Sequence, residues 1–201
     1  MDAVEANVLA WLTSGEENAA DIVNLPWAVE EIDIGVYLAE HPSVPMRLMV
    51  KFSEGFIHLI VPTTIYTAGM DDIEKMRIYQ ALLELNEAIY MMKFTLNGPE
   101  GQIRLRIDLD KETLGKEEFN DALTTLVIGI FAGVSTLGIE KEFLEKTMAR
   151  IVLMLVYRIE SGASDRELME FLTNRVGMDE ESAKVLLDTV LESLGMEPEE
   201  E

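Results

Sequence analysis

Met46-Arg47-Leu48-Met49-Val50-Lys51-Phe52, Ser53-Glu54-Gly55 and Phe56-Ile57-His58-Leu59-Ile60-Val61-Pro62 together form the stretch that decides the fold. On both sides of a short glycine-containing turn, alternate positions are apolar. That is the period of two of a β-strand, not the 3.6 of a helix. Met46, Leu48, Val50 and Phe52 face one way, and Ile57, Leu59 and Val61 join them across an antiparallel hairpin turning at Glu54-Gly55. Pro62 is expected to end the second strand, because proline has no N–H to give a ladder.

Upstream, His41-Pro42-Ser43-Val44-Pro45 is a turn. Before it, residues 29–39 read as one strand, with Ile32, Ile34, Val36 and Leu38 on one side and Glu31, Asp33 and Tyr37 on the other. A short helix over 3–13, with Val4, Val8, Leu9, Trp11 and Leu12 apolar, is broken by Ser14-Gly15-Glu16-Glu17-Asn18. Downstream, residues 71–89 read as an amphipathic helix started by Asp71 or Asp72, with Ile73, Met76, Leu82, Leu83 and Leu85 inward. A second hairpin runs through Met92, Phe94 and Leu96, turns at Asn97-Gly98-Pro99-Glu100-Gly101, and returns through Ile103, Leu105, Ile107 and Leu109.

Helical periodicity resumes over 116–137 and 140–160. Ser164 with Glu167 forms a capping box for the next helix, Gly177 ends it, and Asp179 caps the last. The order is helix, three strands, helix, two strands, helix, helical arm. It predicts an α+β fold: a five-stranded antiparallel sheet with helices on one face over residues 1–138, then a C-terminal helical extension with an acidic tail over 139–201.

The 201 residues suffice for a proper core, and a hydrophobic share of 48% separates the chain from disordered acidic tails. The formal net charge of −22 opposes nucleic acid and anionic membrane as partners. The chain has no cysteine, and Met1-Asp2-Ala3-Val4-Glu5 lacks a basic signal n-region, so a cytoplasmic protein is expected. Ala122 to Ile139 is uncharged and nearly long enough to span a bilayer. Its Thr124, Thr125, Ser135 and Thr136, flanked by Asp121 and Glu140 without a Lys/Arg cluster, favour a helix buried in a globular core.

Leu82-Leu83-Glu84-Leu85-Asn86-Glu87, Lys93-Phe94-Thr95-Leu96, the Gly-rich turn, Arg104-Leu105-Arg106-Ile107-Asp108-Leu109 and Glu117-Glu118-Phe119, in this element order, resemble the YbjN-like branch of the type III secretion chaperone-like fold over roughly residues 28–138. The resemblance implies a small, acidic, often dimeric protein without enzymatic activity. The helical arm over 139–196 has no counterpart in the small chaperones.

No catalytic, cofactor-binding or metal-binding residue is assigned, and no cofactor is expected. His41 sits in a proline-rich turn and His58 on a strand, neither with a carboxylate at helical metal-ligand spacing. No H-E-x-x-H, G-x-S-x-G, Walker A or dinucleotide fingerprint occurs. Gly129 and Gly133 form a G-x-x-x-G read as a close-packing device.

One constellation stands out. Arg47, Lys51, Lys93, Arg104 and Arg106, five of sixteen basic residues, fall on outward strand positions with Met49, Phe56, Ile60 and Met91. A solvated face with cross-strand pairs to Glu31, Asp33 and Asp108 is one reading. The other is a protein-docking face built on Arg47, Met49, Lys51, Ile60, Lys93, Arg104 and Arg106, occupied by a protein or peptide client or by the chain's own acidic C-terminal arm with Glu180, Glu181, Glu192 and Glu197. Helix 140–160 has apolar residues on more faces than one partner covers, so a homodimer is expected. The expected function is a non-enzymatic protein-binding or chaperone-like module. The rivals are an enzyme with a carboxylate-based site and a structural oligomerisation module without a client.

Overall fold

The computed structural model describes residues 2–16 and 19–196. The chain divides into two compact units, Met1–Glu140 and Lys141–Glu201.

In the first unit, helix α1 (Ala3–Thr13) starts with a capping box. Glu5 N–H donates to Asp2 Oδ1 at 2.9 Å, and Asp2 N–H donates to Glu5 Oε2 at 3.1 Å. Both carboxylates also take the Lys111 ammonium, at 2.9 and 2.6 Å. Burial works against the charge on Lys111. The hydrogen bonds from Glu5 and Asp2 outweigh it and raise the ammonium above its ordinary value. Val8 and Leu12 bury the inward side of α1.

A 3₁₀ turn (Ile22–Asn24) leads into a six-stranded sheet: β1 (Ala28–Asp33), β2 (Val36–Glu40), β3 (Arg47–Phe52), β4 (Phe56–Tyr66), β5 (Lys93–Asn97) and β6 (Gln102–Asp110). The spatial order is β1-β2-β3-β4-β6-β5, and every neighbouring pair is antiparallel. The α+β class and the antiparallel sheet agree with the expectation; the sheet has six strands where five were expected.

The sixth strand comes from residues 29–39, which are a hairpin and not one strand. Its turn is Ile34-Gly35, with Gly35 at φ +66°, a backbone conformation glycine adopts freely. Asp33 Oδ1 accepts Ile34 N–H at 2.8 Å, and Gly35 C=O accepts Phe52 N–H at 2.9 Å. The turn reverses the expected facing: Tyr37 and Ala39 are buried, and Ile34 is 96% exposed. Edge strand β1 has little core to meet, so its apolar residues could not set the register.

β4 also runs past Pro62. A register shift between Pro62 and Tyr66 bulges the strand opposite β6. There side chains replace ladder bonds. The Thr63 hydroxyl donates to Ile103 C=O at 2.7 Å, and the Gln102 amide donates to Thr63 C=O at 2.9 Å.

Leu48, Val50, Ile57, Leu59, Ile103, Leu105 and Ile107 line the inner face. Helix α3 (Lys116–Leu137) contributes a single buried stripe that includes Phe119, Leu123, Leu126 and Ile130. Gly129 and Gly133 belong to it. A Cβ on Gly129 would come within 2.2 Å of Met92 Sδ, and one on Gly133 within 3.1 Å of Phe94 Cζ, so the G-x-x-x-G packs helix on sheet. By length and composition α3 is the one helix among the described residues able to cross a membrane. Burial is confined to its stripe; Thr124, Ile128 and Ser135 are exposed.

Helix α2 (Asp72–Ala88) is capped by Asp71, which accepts N–H groups from Ile73 and Glu74. Leu82 is buried and Leu85 half-buried, as expected, but Ile73, Met76 and Leu83 are exposed. The helix carries two apolar arcs on opposite sides, and only the arc with Leu82 meets the domain.

The second unit consists of α4 (Glu140–Glu160), α5 (Asp165–Glu170) running into a π turn (Phe171–Arg175), and α6 (Glu180–Ser193). Ile151, Leu155, Ile159, Leu168, Phe171, Leu172, Leu187, Val190 and Leu191 form its core. Ser164 with Glu167 and Asp179 cap α5 and α6 as the sequence indicates. Leu144, Leu153 and Tyr157 of α4 are exposed. Glu180, Glu181 and Glu192 are exposed too, whereas Glu197 and Glu199 to Glu201 lie outside the described residues.

Candidate protein-docking face

Directly opposed residues in an antiparallel ladder share a face. The register therefore draws one row straight across the sheet: Glu30, Leu38, Met49, Ile60, Arg106 and Lys93. A second row holds Val36, Lys51, His58 and Asp108, and a third holds Pro62, Arg104 and Thr95. Arg47 stands opposite Glu40, and Phe56 opposite Asp110. Met49, Lys51, Ile60, Lys93, Arg104 and Arg106 are thus neighbours on the sheet face opposite the core, with Arg47 at one margin. Met91 precedes β5 with φ +69°, where strand alternation has stopped.

Charges on this face are largely paired. Asp108 takes Lys93 Nζ on Oδ2 and Arg106 Nε on Oδ1, both at 2.6 Å, and His58 Nδ1 lies 2.6 Å from Oδ1. Burial alone would raise the Asp108 carboxyl. The hydrogen bonds from Lys93, His58 and Arg106 outweigh it and hold the group well below the usual carboxylate range. Arg47 Nε reaches Glu40 Oε1 at 3.0 Å. Arg104 Nε donates to the neutral Gln102 Oε1 at 2.9 Å. Among the described residues, neither Arg104 nor Lys51 has a carboxylate within ion-pair distance. The expected pairs to Glu31 and Asp33 do not form: the register sets Glu31 opposite the buried Tyr37, in the row that continues to the buried Val50 and not in the basic row, and Asp33 Oδ1 accepts Ile34 N–H at the hairpin turn. Ile60 is already buried, whereas Met49 is half-buried and Phe56 about half exposed.

The strand register also assembles a group with no motif spacing. His58 Nε2 lies 3.1 Å from Ser53 Oγ, which extends the His58–Asp108 contact into a Ser–His–Asp line. Its hydrogen bonds suit a structural relay. Ser53 Oγ donates to Phe56 C=O at 2.9 Å, and Ser53 N–H donates to the same carbonyl at 2.9 Å. The hydroxyl proton and the nearest backbone donor for an oxyanion are therefore both engaged. Asp108 divides its charge among three donors, and the Arg106 guanidinium lies 3.0 Å from His58 Nδ1. His58 and Asp108 are 50 residues apart, and only the β4–β6 pairing makes them neighbours. His41 is buried, its Nδ1 2.8 Å from Ser43 Oγ. Among the described residues no group of three His, Cys, Asp or Glu side chains could hold a metal ion.

The sheet edges are less open than its face. On β5, Asn86 Oδ1 accepts Phe94 N–H at 2.6 Å and Asn86 Nδ2 donates to Phe94 C=O at 3.3 Å, which occupies that edge with a side-chain amide. On β1, Glu30, Glu31 and Asp33 bring charge to the other edge.

No curated protein matches the chain. Among solved structures it is similar to a chain of the heterodimeric complex ExoU-SpcU from the type III secretion system of Pseudomonas aeruginosa, with 15% identity, a TM-score of 0.41, and coverage of 63% of this chain and 94% of that one. Residues 138–200 match a family model named HTH_78, described as a domain of unknown function. Residues 7–137 match the model described as "Domain of unknown function (DUF8183)", which takes in the whole sheet with α2 and α3. With well over half of its length matched by that model, the chain belongs to the DUF8183 family.

Proposed function

We propose that this chain is a non-enzymatic, chaperone-like protein-binding module of the cytoplasm, acting as a homodimer, and that it receives its client on the outer sheet face. The YbjN-like resemblance of residues 28–138 belongs to the same proposal. The observation that carries it is the row Leu38, Met49, Ile60, Arg106, Lys93: an apolar centre with Lys51 and Arg104 beside it, in a chain of net charge −22. A segment bearing carboxylates and apolar side chains complements that face, while nucleic acid and anionic lipid would be repelled by the rest of the molecule. The blocked β5 edge and charged β1 edge favour the face over strand addition.

The second reading, a hydrolase, rests on the Ser53–His58–Asp108 line. The hydroxyl donating to Phe56 C=O argues against it. Two measurements test the proposal together. A pull-down from native lysate, read by mass spectrometry, should recover a protein that is lost from a Met49→Ser/Phe56→Ser bait. Hydrolysis of p-nitrophenyl acetate should stay at the rate of the Ser53→Ala variant. Ester turnover that disappears with Ser53→Ala would replace the binding reading with the hydrolytic one.

A further inference from the structure

Arg104 is a cation held in place without being neutralised. It stands in the row between Pro62 and Thr95, and its Nε donates to Gln102 Oε1 at 2.9 Å. Gln102 is itself pinned: its Nε2 donates to Thr63 C=O at 2.9 Å and to the Tyr66 hydroxyl oxygen at 3.2 Å. The Thr63 carbonyl fixes which end of the amide is which, since a C=O group only accepts. The bulge in β4 makes the arrangement possible. β4 advances from Pro62 to Tyr66 while β6 advances only from Arg104 to Gln102, which brings Tyr66, about half exposed, directly opposite Gln102. The two rows hold Pro62, Arg104 and Thr95, then Tyr66, Gln102 and Asn97, with no carboxylate among them.

With Nε engaged, the end-on edge of the guanidinium, Nη1 with Nη2, takes no partner among the described residues. That edge matches the two oxygens of one carboxylate through two parallel N–H bonds. The Tyr66 oxygen accepts from Gln102, so its own hydrogen stays free to donate, and the ring beside it offers apolar surface. The other cations of the face differ. Lys93 and Arg106 are committed to Asp108, and Arg47 to Glu40. Among the described residues no hydrogen bond holds the Lys51 ammonium, so it acts as a point charge on a flexible stem. Gln102 has already set the Arg104 plane, and little side-chain freedom is lost when a carboxylate arrives. A phosphate group would bring roughly two negative charges toward a chain of net charge −22, where a carboxylate brings one.

We propose that Arg104, set by Gln102 and Tyr66, is a bidentate recognition site for an Asp or Glu side chain of the client, whose neighbouring apolar residue packs on the Tyr66 ring. The proposal rests on the outer sheet face being the client's surface, and adds which chemical group is read there and by which edge. The probe is N-acetyl-Leu-Glu-amide, with N-acetyl-Leu-Gln-amide as the neutral control of the same shape. Each is titrated into the full chain at about 150 mM salt, which screens diffuse attraction. Proton–nitrogen NMR follows the Gln102 side-chain amide and the Arg104 Nε–H, and the backbone amides confirm that each variant folds. The Glu peptide should shift both signals saturably at millimolar concentration, and the Gln peptide should bind at least about fivefold more weakly. Arg104→Lys keeps the charge and loses the fork, so it should weaken the Glu peptide about fivefold, read on Gln102. Gln102→Leu should cost about threefold, read on Arg104, because the fork remains and only its setting is lost. Equal binding of the two peptides would overturn the proposal. So would an Arg104→Lys variant that binds like wild type, shifts centred on Lys51, or inorganic phosphate binding more tightly than the Glu peptide. Peptide binding at Arg104 with a client indifferent to Met49→Ser/Phe56→Ser would sink the sheet-face reading and leave the carboxylate site standing. A client lost from that bait, with no discrimination between the peptides, would do the reverse.

Discussion

Replacing Gly15 with alanine is expected to lower the free energy of unfolding by about 3 kcal/mol, the scale of severe overpacking in a site that cannot relax. Gly15 follows the end of α1, where the chain folds back against residues 24–27. A Cβ there would sit 2.2 Å from Asn24 O and 2.4 Å from Leu25 C, both backbone atoms. That backbone is held in place: Glu16 N–H donates to Asn24 C=O at 2.7 Å, and Trp27 N–H donates to Leu12 C=O at 2.9 Å. The flanking Leu12, Val23 and Trp27 are buried, so moving either segment opens the core. Urea denaturation should show a lower midpoint at unchanged slope. A Gly15→Ala variant as stable as wild type would mean that the α1 turn does not pack as described.

Asp108→Asn is expected to cost about 2 kcal/mol at neutral pH, because it removes the one carboxylate that three donors share and leaves Arg106 and Lys93 apposed. Partial exposure of Asp108 keeps the figure below that of a fully buried pair. The pH dependence has a definite sign. The carboxyl is held below its ordinary value in the folded state, so its contribution is complete above the unfolded pKa of about 4 and is lost as pH falls through the folded value. The stability gap between wild type and variant should therefore be full at pH 7 and shrink below about pH 4. Guanidinium unfolding at pH 7 and pH 3 measures both points. An Asp108→Asn variant that matches wild type at pH 7 would show that the three contacts add nothing net.

Where alternation was backed by burial, the sequence was enough. Leu48 and Val50 with Ile57 and Leu59, and Ile103, Leu105, Ile107 and Leu109, fall on the core side because each strand has one covered face. It was not enough where the core was absent. Ile32 and Ile34 mimic a strand face at a sheet edge, and only the glycine turn reveals the hairpin. On α2 two apolar arcs compete, and tertiary packing chose Leu82 over Ile73, Met76 and Leu83. Pro62 was tolerated because Thr63 and Gln102 side chains take over at the bulge. On the outer face, strand alternation was legible but pairing was not. Nothing local indicates that Asp108 gathers Lys93, Arg106 and His58, or that Lys51 and Arg104 lie without a carboxylate at ion-pair distance among the described residues.

The design of a binding test follows from those pairings. Arg106 and Lys93 hold Asp108, and Ile60 is already buried, so altering them would confuse stability with binding. Met49 with Phe56, and Lys51 with Arg104, can be changed at less cost. Covering Met49 and Phe56 further contributes about 2 kcal/mol at roughly 25 cal/mol per Å². Each exposed charge pair adds only about 0–1 kcal/mol, so charge should act mainly on association rate. The most direct measurement is calorimetric titration of the recovered client into wild type, Met49→Ser/Phe56→Ser and Lys51→Glu/Arg104→Glu. The docking-face account predicts at least about tenfold weaker binding for the apolar pair, and a smaller, salt-dependent loss for the charged pair. Full affinity in both double variants would mean that the face is only solvated and that the client binds elsewhere.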